Sequence, residues 1–158
     1  MDELAKRLGA RLKGANEMLA TAESCTGGWA AQVVTSVSGS SAWFERGFVT
    51  YSNAAKQELL GVRAETLRAH GAVSEETARE MARGALERSQ GTIAVSITGV
   101  AGPGGGTAEK PVGTVCFAWA RAGEVRAELH RFAGDREAIR RQSVIVALEG
   151  VMRALDGG

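Results

Sequence analysis

Apolar side chains recur every three or four positions across residues 2–14. Leu4, Ala5, Leu8 and Leu12 fall on one side, and Lys6, Arg7, Arg11 and Lys13 on the other. That period predicts a helix with one buried face, closed by Gly14-Ala15-Asn16. From Glu17 to Ala22 the helical period is lost, and Glu17-Met18-Leu19-Ala20-Thr21-Ala22 reads as a short buried strand. The strand stops at Glu23-Ser24-Cys25-Thr26-Gly27-Gly28, after which Trp29 to Val37 resumes as an apolar helix. Ser38-Gly39-Ser40-Ser41 is a loop. Trp43 to Tyr51 alternates imperfectly, but Phe44, Phe48, Val49 and Tyr51 favour a strand. Asn53 is the expected cap of a helix from Ala54 to Leu60, and Ser74-Glu75-Glu76-Thr77 resembles the capped start of another reaching Ser89.

The strongest strand pattern is Thr92-Ile93-Ala94-Val95-Ser96-Ile97, followed by a glycine-rich loop from Gly99 to Gly106 with Pro103 inside it. Val112 to Ala120 and Glu124 to Phe132 predict two strands joined by a short turn at Arg121-Ala122-Gly123. A last helix begins near Asp135, where Val144, Leu148, Val151, Met152 and Leu155 make an amphipathic stripe. The order α-β-α-β-α-α-α-β-β-β-α predicts an α/β fold. We expect residues 1–158 to form a single three-layer α/β/α domain with a mixed sheet.

Composition narrows the function classes. With 158 residues, 44% hydrophobic and 23% charged, the chain has the make-up of an ordinary globular domain. A formal charge of +1, with both signs interspersed, argues against a nucleic-acid binder, which needs a basic face to displace counterions. Cys25 and Cys116 are too few for a disulfide framework, and with only His70 and His130 beside them no metal site is expected. The N-terminus has no leader pattern, and no apolar run approaches the ~20 residues of a membrane span. The protein is therefore expected in the cytoplasm, with no membrane partner.

Three segments carry candidate chemistry. The turn after the first strand places Ser24 where a helix begins, and unpaired N–H groups there stabilise an alkoxide and then an oxyanion. Ser24 or Thr26 as a simple helix cap is the competing reading. Cys25 is a rival nucleophile without an evident cationic partner, and reads better as a small buried residue. Lys56 lies near a helix start, where the dipole disfavours a cation and, with burial, lowers its pKa. An exposed lysine on a short helix is its ordinary alternative. The Gly99–Gly106 loop can cradle an anion through its amides, although no Gly-Lys-Ser/Thr or helix follows to make it a nucleotide fingerprint. Arg136, Arg140 and Arg141 stand near the start of the last helix as a phosphate clamp or a solvated face.

Taken together, Thr21-Ala22-Glu23-Ser24-Cys25-Thr26-Gly27-Gly28, Gly47-Phe48-Val49-Thr50-Tyr51-Ser52-Asn53, His70-Gly71-Ala72-Val73-Ser74 and Thr98-Gly99-Val100-Ala101-Gly102-Pro103 resemble the CinA C-terminal domain family. Lys110-Pro111-Val112-Gly113-Thr114-Val115, Gly134-Asp135-Arg136 and Arg140 extend the likeness over about residues 20–155. The resemblance implies an amidase that converts nicotinamide mononucleotide to nicotinic acid mononucleotide and ammonia, in a short, stand-alone form. It implies Ser24, Lys56 and Tyr51 as the catalytic set, with Lys56 drawing the serine proton directly or through the Tyr51 hydroxyl. Cys25, Thr26 and Gly27, following the nucleophile, and Thr98, Gly99, Ala101 and Gly102 are expected against the substrate, and Arg140 is the first candidate for its phosphate. The partner implied is a small nucleotide, with no cofactor or metal, and relatives suggest a homodimer. A non-catalytic nucleotide-binding or regulatory domain of the same fold is the main alternative. An amidase acting on another pyridine nucleotide or on a different small amide is a third.

Overall fold

A computed structural model of the protein describes residues 1–157; the expected domain runs to Gly158, which lies outside the described residues. The chain runs α1 (Asp2–Gly14), β1 (Leu19–Glu23), α2 (Trp29–Thr35), a 3-10 turn (Ser40–Ala42), β2 (Phe44–Val49) and α3 (Asn53–Leu60). It continues through α4 (Ala64–His70), α5 (Glu75–Glu87), β3 (Ile93–Gly99), β4 (Thr114–Arg121), β5 (Glu124–Arg131) and α6 (Arg136–Leu155). The strands form one five-stranded sheet in the order β2-β1-β3-β4-β5. β1 is parallel to both β2 and β3, whereas β4 and β5 continue the sheet in antiparallel fashion. This is the mixed α/β sheet the element order predicts.

Helices cover both faces, as the burial of the central strands requires. All five residues of β1 are buried, and β3 is buried from Ile93 to Thr98. Such two-sided burial explains why these strands read as continuous apolar runs rather than alternating ones. On one face α1, α2 and α6 pack through Leu8, Leu12, Val34, Val144, Leu148 and Val151 against Ile93, Val95, Ile97 and Phe117. On the other, α5 brings Met81 and Ala85 onto Ala20, Ala22 and Ala94, with Leu60 of α3 in the same cluster. The apolar stripe of α6 is thus mostly spent on its own sheet. Val144, Leu148 and Val151 are fully buried within this chain.

Several element ends differ from the sequence reading, each for a local reason. β1 is shifted toward Glu23, because Glu23 still pairs with Val49 and Ile97 on either side. α3 begins one residue earlier than expected. Ser52, not Asn53, is its cap, accepting from the Ala55 amide at 3.0 Å. α2 ends at Thr35 rather than Val37; the Thr35 and Ser36 hydroxyls fold back onto carbonyls of the preceding turn. Ser74 does cap α5, accepting from the Thr77 amide at 3.1 Å.

The α3–α5 contact matters because α3 carries Lys56. It is made at Gly84, where an added Cβ would lie 1.9 Å from the Leu60 carbonyl oxygen. Backbone cannot yield there as a side chain would. Gly84→Ala is expected to cost about 1–3 kcal/mol by overpacking, read as a lower urea midpoint with an unchanged slope. An unchanged midpoint would mean that the two helices separate freely.

Candidate active site

The carboxyl ends of the three parallel strands converge, and each of the three chemistry-bearing segments follows one of them. In open α/β sheets that is where ligands bind. Ser24 follows β1, Tyr51 to Lys56 follow β2, and the glycine loop follows β3. Backbone bonds lock the three together: the Ser24 amide donates to the Ile97 carbonyl at 2.9 Å, and the Thr50 amide to the Glu23 carbonyl at 2.8 Å.

Lys56 occupies the first turn of α3 and reaches back under the strand ends. Its Nζ lies 3.0 Å from Ser24 Oγ and 3.2 Å from the Thr50 carbonyl oxygen. The side chain is only 2% exposed. No carboxylate lies within ion-pair distance of it among the described residues. A buried ammonium with no counter-ion is costly, and burial accordingly pushes the Lys56 pKa below its ordinary value. A neutral amine at these two distances can keep one hydrogen on the Thr50 carbonyl and accept from the serine hydroxyl through its lone pair. A buried, unpaired lysine in contact with a serine has the geometry that a nucleophile–base pair requires.

Ser24 is not a helix cap. The N-terminus of α2 is served instead by Glu23, whose carboxylate accepts from the Ala30 and Ala31 amides at 2.8 and 3.0 Å and from the Thr26 hydroxyl at 2.6 Å. Glu23 is 1% exposed and faces away from the pocket into this network. The helix therefore does not start directly after Ser24. A tight turn intervenes, closed by the Gly27 amide on the Ser24 carbonyl at 3.0 Å and the Trp29 amide on the Thr26 carbonyl at 3.0 Å. Gly27 and Gly28 have φ of +58° and +102°, which only glycine adopts without strain. Cys25 is no rival to Ser24: burial pushes its thiol up to about 12, so no thiolate forms near neutrality.

A pocket of about 340 Å³ opens above the pair. Ser24, Cys25, Tyr51, Lys56, Thr98, Gly99, Ala101 and Gly102 all line it, joined by Asn53, Ala72, Val73 and Arg136. Of the larger concavities elsewhere, the one of about 460 Å³ is lined by neither serine nor lysine, and the one of about 540 Å³ holds Ser74 and Lys110, whose side chains donate instead to the Gly71 and His70 carbonyls. No cluster of His, Cys, Asp or Glu able to hold a metal is found among the described residues.

Not every expected residue faces this pocket. Thr26, Gly27 and Arg140 are not among its lining residues. Arg140 lies behind the turn that follows Ser24, where it donates from Nε to the Cys25 carbonyl and from Nη2 to the Thr26 carbonyl, each at 3.1 Å. Thr98 lines the pocket but donates its hydroxyl hydrogen to the Ala72 carbonyl at 2.8 Å. Tyr51 is 62% exposed at the mouth, and its hydroxyl accepts from Arg136 at 3.2 Å rather than meeting Ser24 or Lys56. Arg136 also donates to the Gly102 carbonyl at 2.7 Å, bridging the Tyr51 loop and the glycine loop. Glu23 was missed by the sequence reading, although an acidic residue ahead of a Gly-Gly helix start was the available signal.

A family model, the CinA C-terminal domain, matches residues 1–155. The nicotinamide-nucleotide amidohydrolase PncC of Escherichia coli (strain K12) is 57% identical over 148 residues, covering 93% of this chain and 90% of the relative. PncC of Pseudomonas putida is 53% identical over 150 residues, covering 95% and 94%. The crystal structure of competence/damage inducible protein CihA from Agrobacterium tumefaciens superposes with a TM-score of 0.94 at 50% identity, over 98% of this chain and 94% of that one. A CinA superfamily protein from Klebsiella pneumoniae 700603 superposes with a TM-score of 0.96 at 41% identity, over 99% and 98%.

Proposed function

The chain belongs to the CinA C-terminal domain family, and from that footing we propose that it hydrolyses the carboxamide of nicotinamide mononucleotide to nicotinic acid mononucleotide and ammonia. The observation that carries the mechanism is the buried, counter-ion-free Lys56 with its Nζ 3.0 Å from Ser24 Oγ. Identity of 52–57% to relatives named nicotinamide-nucleotide amidohydrolase supports the substrate.

Neutral Lys56 takes the Ser24 proton as Oγ attacks the carboxamide carbon, and the carbonyl oxygen becomes an oxyanion. Amides of the turn after Ser24 meet that charge. The ammonium of Lys56 then protonates the amide nitrogen, which leaves as ammonia with cleavage of the C–N bond. An acyl ester on Ser24 remains. Water, deprotonated by Lys56, attacks the ester; the ester C–O bond breaks, Ser24 regains a proton, and the carboxylate departs. The pyridinium ring of this substrate carries a positive charge, which further disfavours an ammonium at Lys56 and makes the carboxamide carbon more electrophilic. Direct contact of Lys56 with Ser24 leaves no need for a relay, so Tyr51 acts at the mouth, through Arg136, rather than on the serine proton.

Recognition of the phosphate falls to Arg136. It lines the pocket and donates to the Gly102 carbonyl, in the same lining as Ala101, Gly102, Gly104 and Gly105, whose amides make no backbone hydrogen bond among the described residues. Such unpaired amides beside a guanidinium suit a phosphate dianion. Arg136→Ala is expected to raise KM for the mononucleotide about 10- to 100-fold, the worth of a charge-assisted bond, with no change for the dephosphorylated riboside. Equal losses on both substrates would place the phosphate elsewhere.

The test of the reading itself is ammonia release from nicotinamide mononucleotide, with the riboside and free nicotinamide as controls. Binding of the nucleotide without ammonia release would replace the enzyme with a nucleotide-binding module.

A further inference from the structure

The turn that carries the nucleophile is held from behind by Arg140, a residue that one α-helical turn separates from Arg136 on α6. Its guanidinium lies 5.5 Å from the centre of the Trp29 ring, which fixes its plane. From there it takes two successive carbonyls of the turn, those of Cys25 and Thr26. Gly27 leaves room for it: a Cβ there would approach Arg140 Nη2 to 3.4 Å.

The consequence lies on the other side of the peptide planes. Among the described residues the sole cis peptide is Gly102–Pro103, so the peptides of the turn are trans. In a trans peptide the carbonyl and the following N–H point in opposite directions. Arg140 on the Cys25 carbonyl therefore turns the Thr26 amide away from α6. The Gly27 amide on the Ser24 carbonyl does the same for the Cys25 amide. Neither the Cys25 nor the Thr26 amide donates to a backbone carbonyl among the described residues. The positive charge on the carbonyl also polarises the peptide and strengthens its N–H as a donor.

We propose that Arg140 is a positioning residue for the reaction: through the Cys25 and Thr26 carbonyls it aims the Thr26 amide, together with that of Cys25, at the oxyanion formed when Ser24 attacks. This rests on the acyl-transfer reading above and deepens it. Arg140 and Arg136, alike in sequence, then do different work, the one on kcat and the other on KM.

The test compares wild type with Arg140→Lys and Arg140→Gln in two reactions: turnover of nicotinamide mononucleotide, and the p-nitrophenolate burst when p-nitrophenyl acetate acylates Ser24. A misaimed oxyanion donor should lower kcat about 10- to 100-fold in both variants and slow the burst by the same factor. KM should stay near the wild-type value, with rates normalised to the folded fraction from circular dichroism. A raised KM with unchanged kcat, absent on the riboside, would make Arg140 a phosphate ligand and overturn the proposal. So would wild-type kinetics in both variants, or failure of both to fold. If the wild type gives the burst but releases no ammonia, the substrate assignment fails while the Arg140 comparison proceeds on the ester. If it gives neither, both fall.

Discussion

Ser24→Ala is expected to lower ammonia release by about 10⁴- to 10⁶-fold, the range seen when a serine hydrolase loses its nucleophile, while the nucleotide still binds. The size of the loss follows from what remains in the pocket. Cys25 cannot substitute, since its thiol titrates only at about 12. Lys56 would keep its bond to the Thr50 carbonyl and stay in place, so the pocket would survive with its base but without an attacking oxygen. Removing one hydroxyl from a residue that is only 8% exposed takes little away from the surface that meets the substrate. Affinity measured by calorimetry on the inactive variant should therefore match the wild-type substrate affinity. A variant that kept most of its rate would instead mean that Lys56 activates water directly and that Ser24 only orients it.

The sequence exposed what depends on neighbours in the chain. β3 is legible because burial on both faces leaves a continuous apolar run from Ile93 to Ile97. α6 is legible from its stripe, and the Ser74 cap of α5 from the acidic residues that follow it. The pairing of Ser24 with Lys56 was reached only through resemblance, because 32 residues separate them and no local pattern states that their strands are adjacent. The same limit hid the roles of three charged side chains. Glu23 looks like the end of a strand until α2 is seen to start over it. Arg140 looks like a phosphate ligand until the turn 115 residues earlier is seen to rest on it. Tyr51 looks like a relay until its hydroxyl is found on Arg136, 85 residues away. Residue type and spacing announced that these groups matter, but their partners come from the folding of distant segments onto one sheet edge.

Lys56→Met is expected to lower kcat by about 10²- to 10⁴-fold, the usual worth of a general base, and at the same time to raise stability. Both effects have one origin. Burial without a counter-ion holds the Lys56 pKa below its ordinary value of 10.5 in the folded protein, whereas the unfolded chain restores it. Below 10.5 the unfolded state thus binds more protons than the folded one, and stability falls as pH drops from there to the depressed folded value, then levels off. Methionine fills nearly the same volume without the charge, so the variant should melt higher at neutral pH and lose that part of the pH slope. Activity follows the opposite form: the wild-type rate should climb with pH as the buried ammonium gives up its proton, with an inflection below 10.5, and then flatten. A protein selected for stability alone would have methionine or leucine at this position, and the proposed role as base is what would offset the cost of the lysine. Thermal melts and pH–rate profiles of the two proteins measure both halves. A Met variant that was less stable than wild type, or a wild-type rate that did not change from mild acid to alkali, would mean that Lys56 stays charged beside Ser24 and cannot be its base.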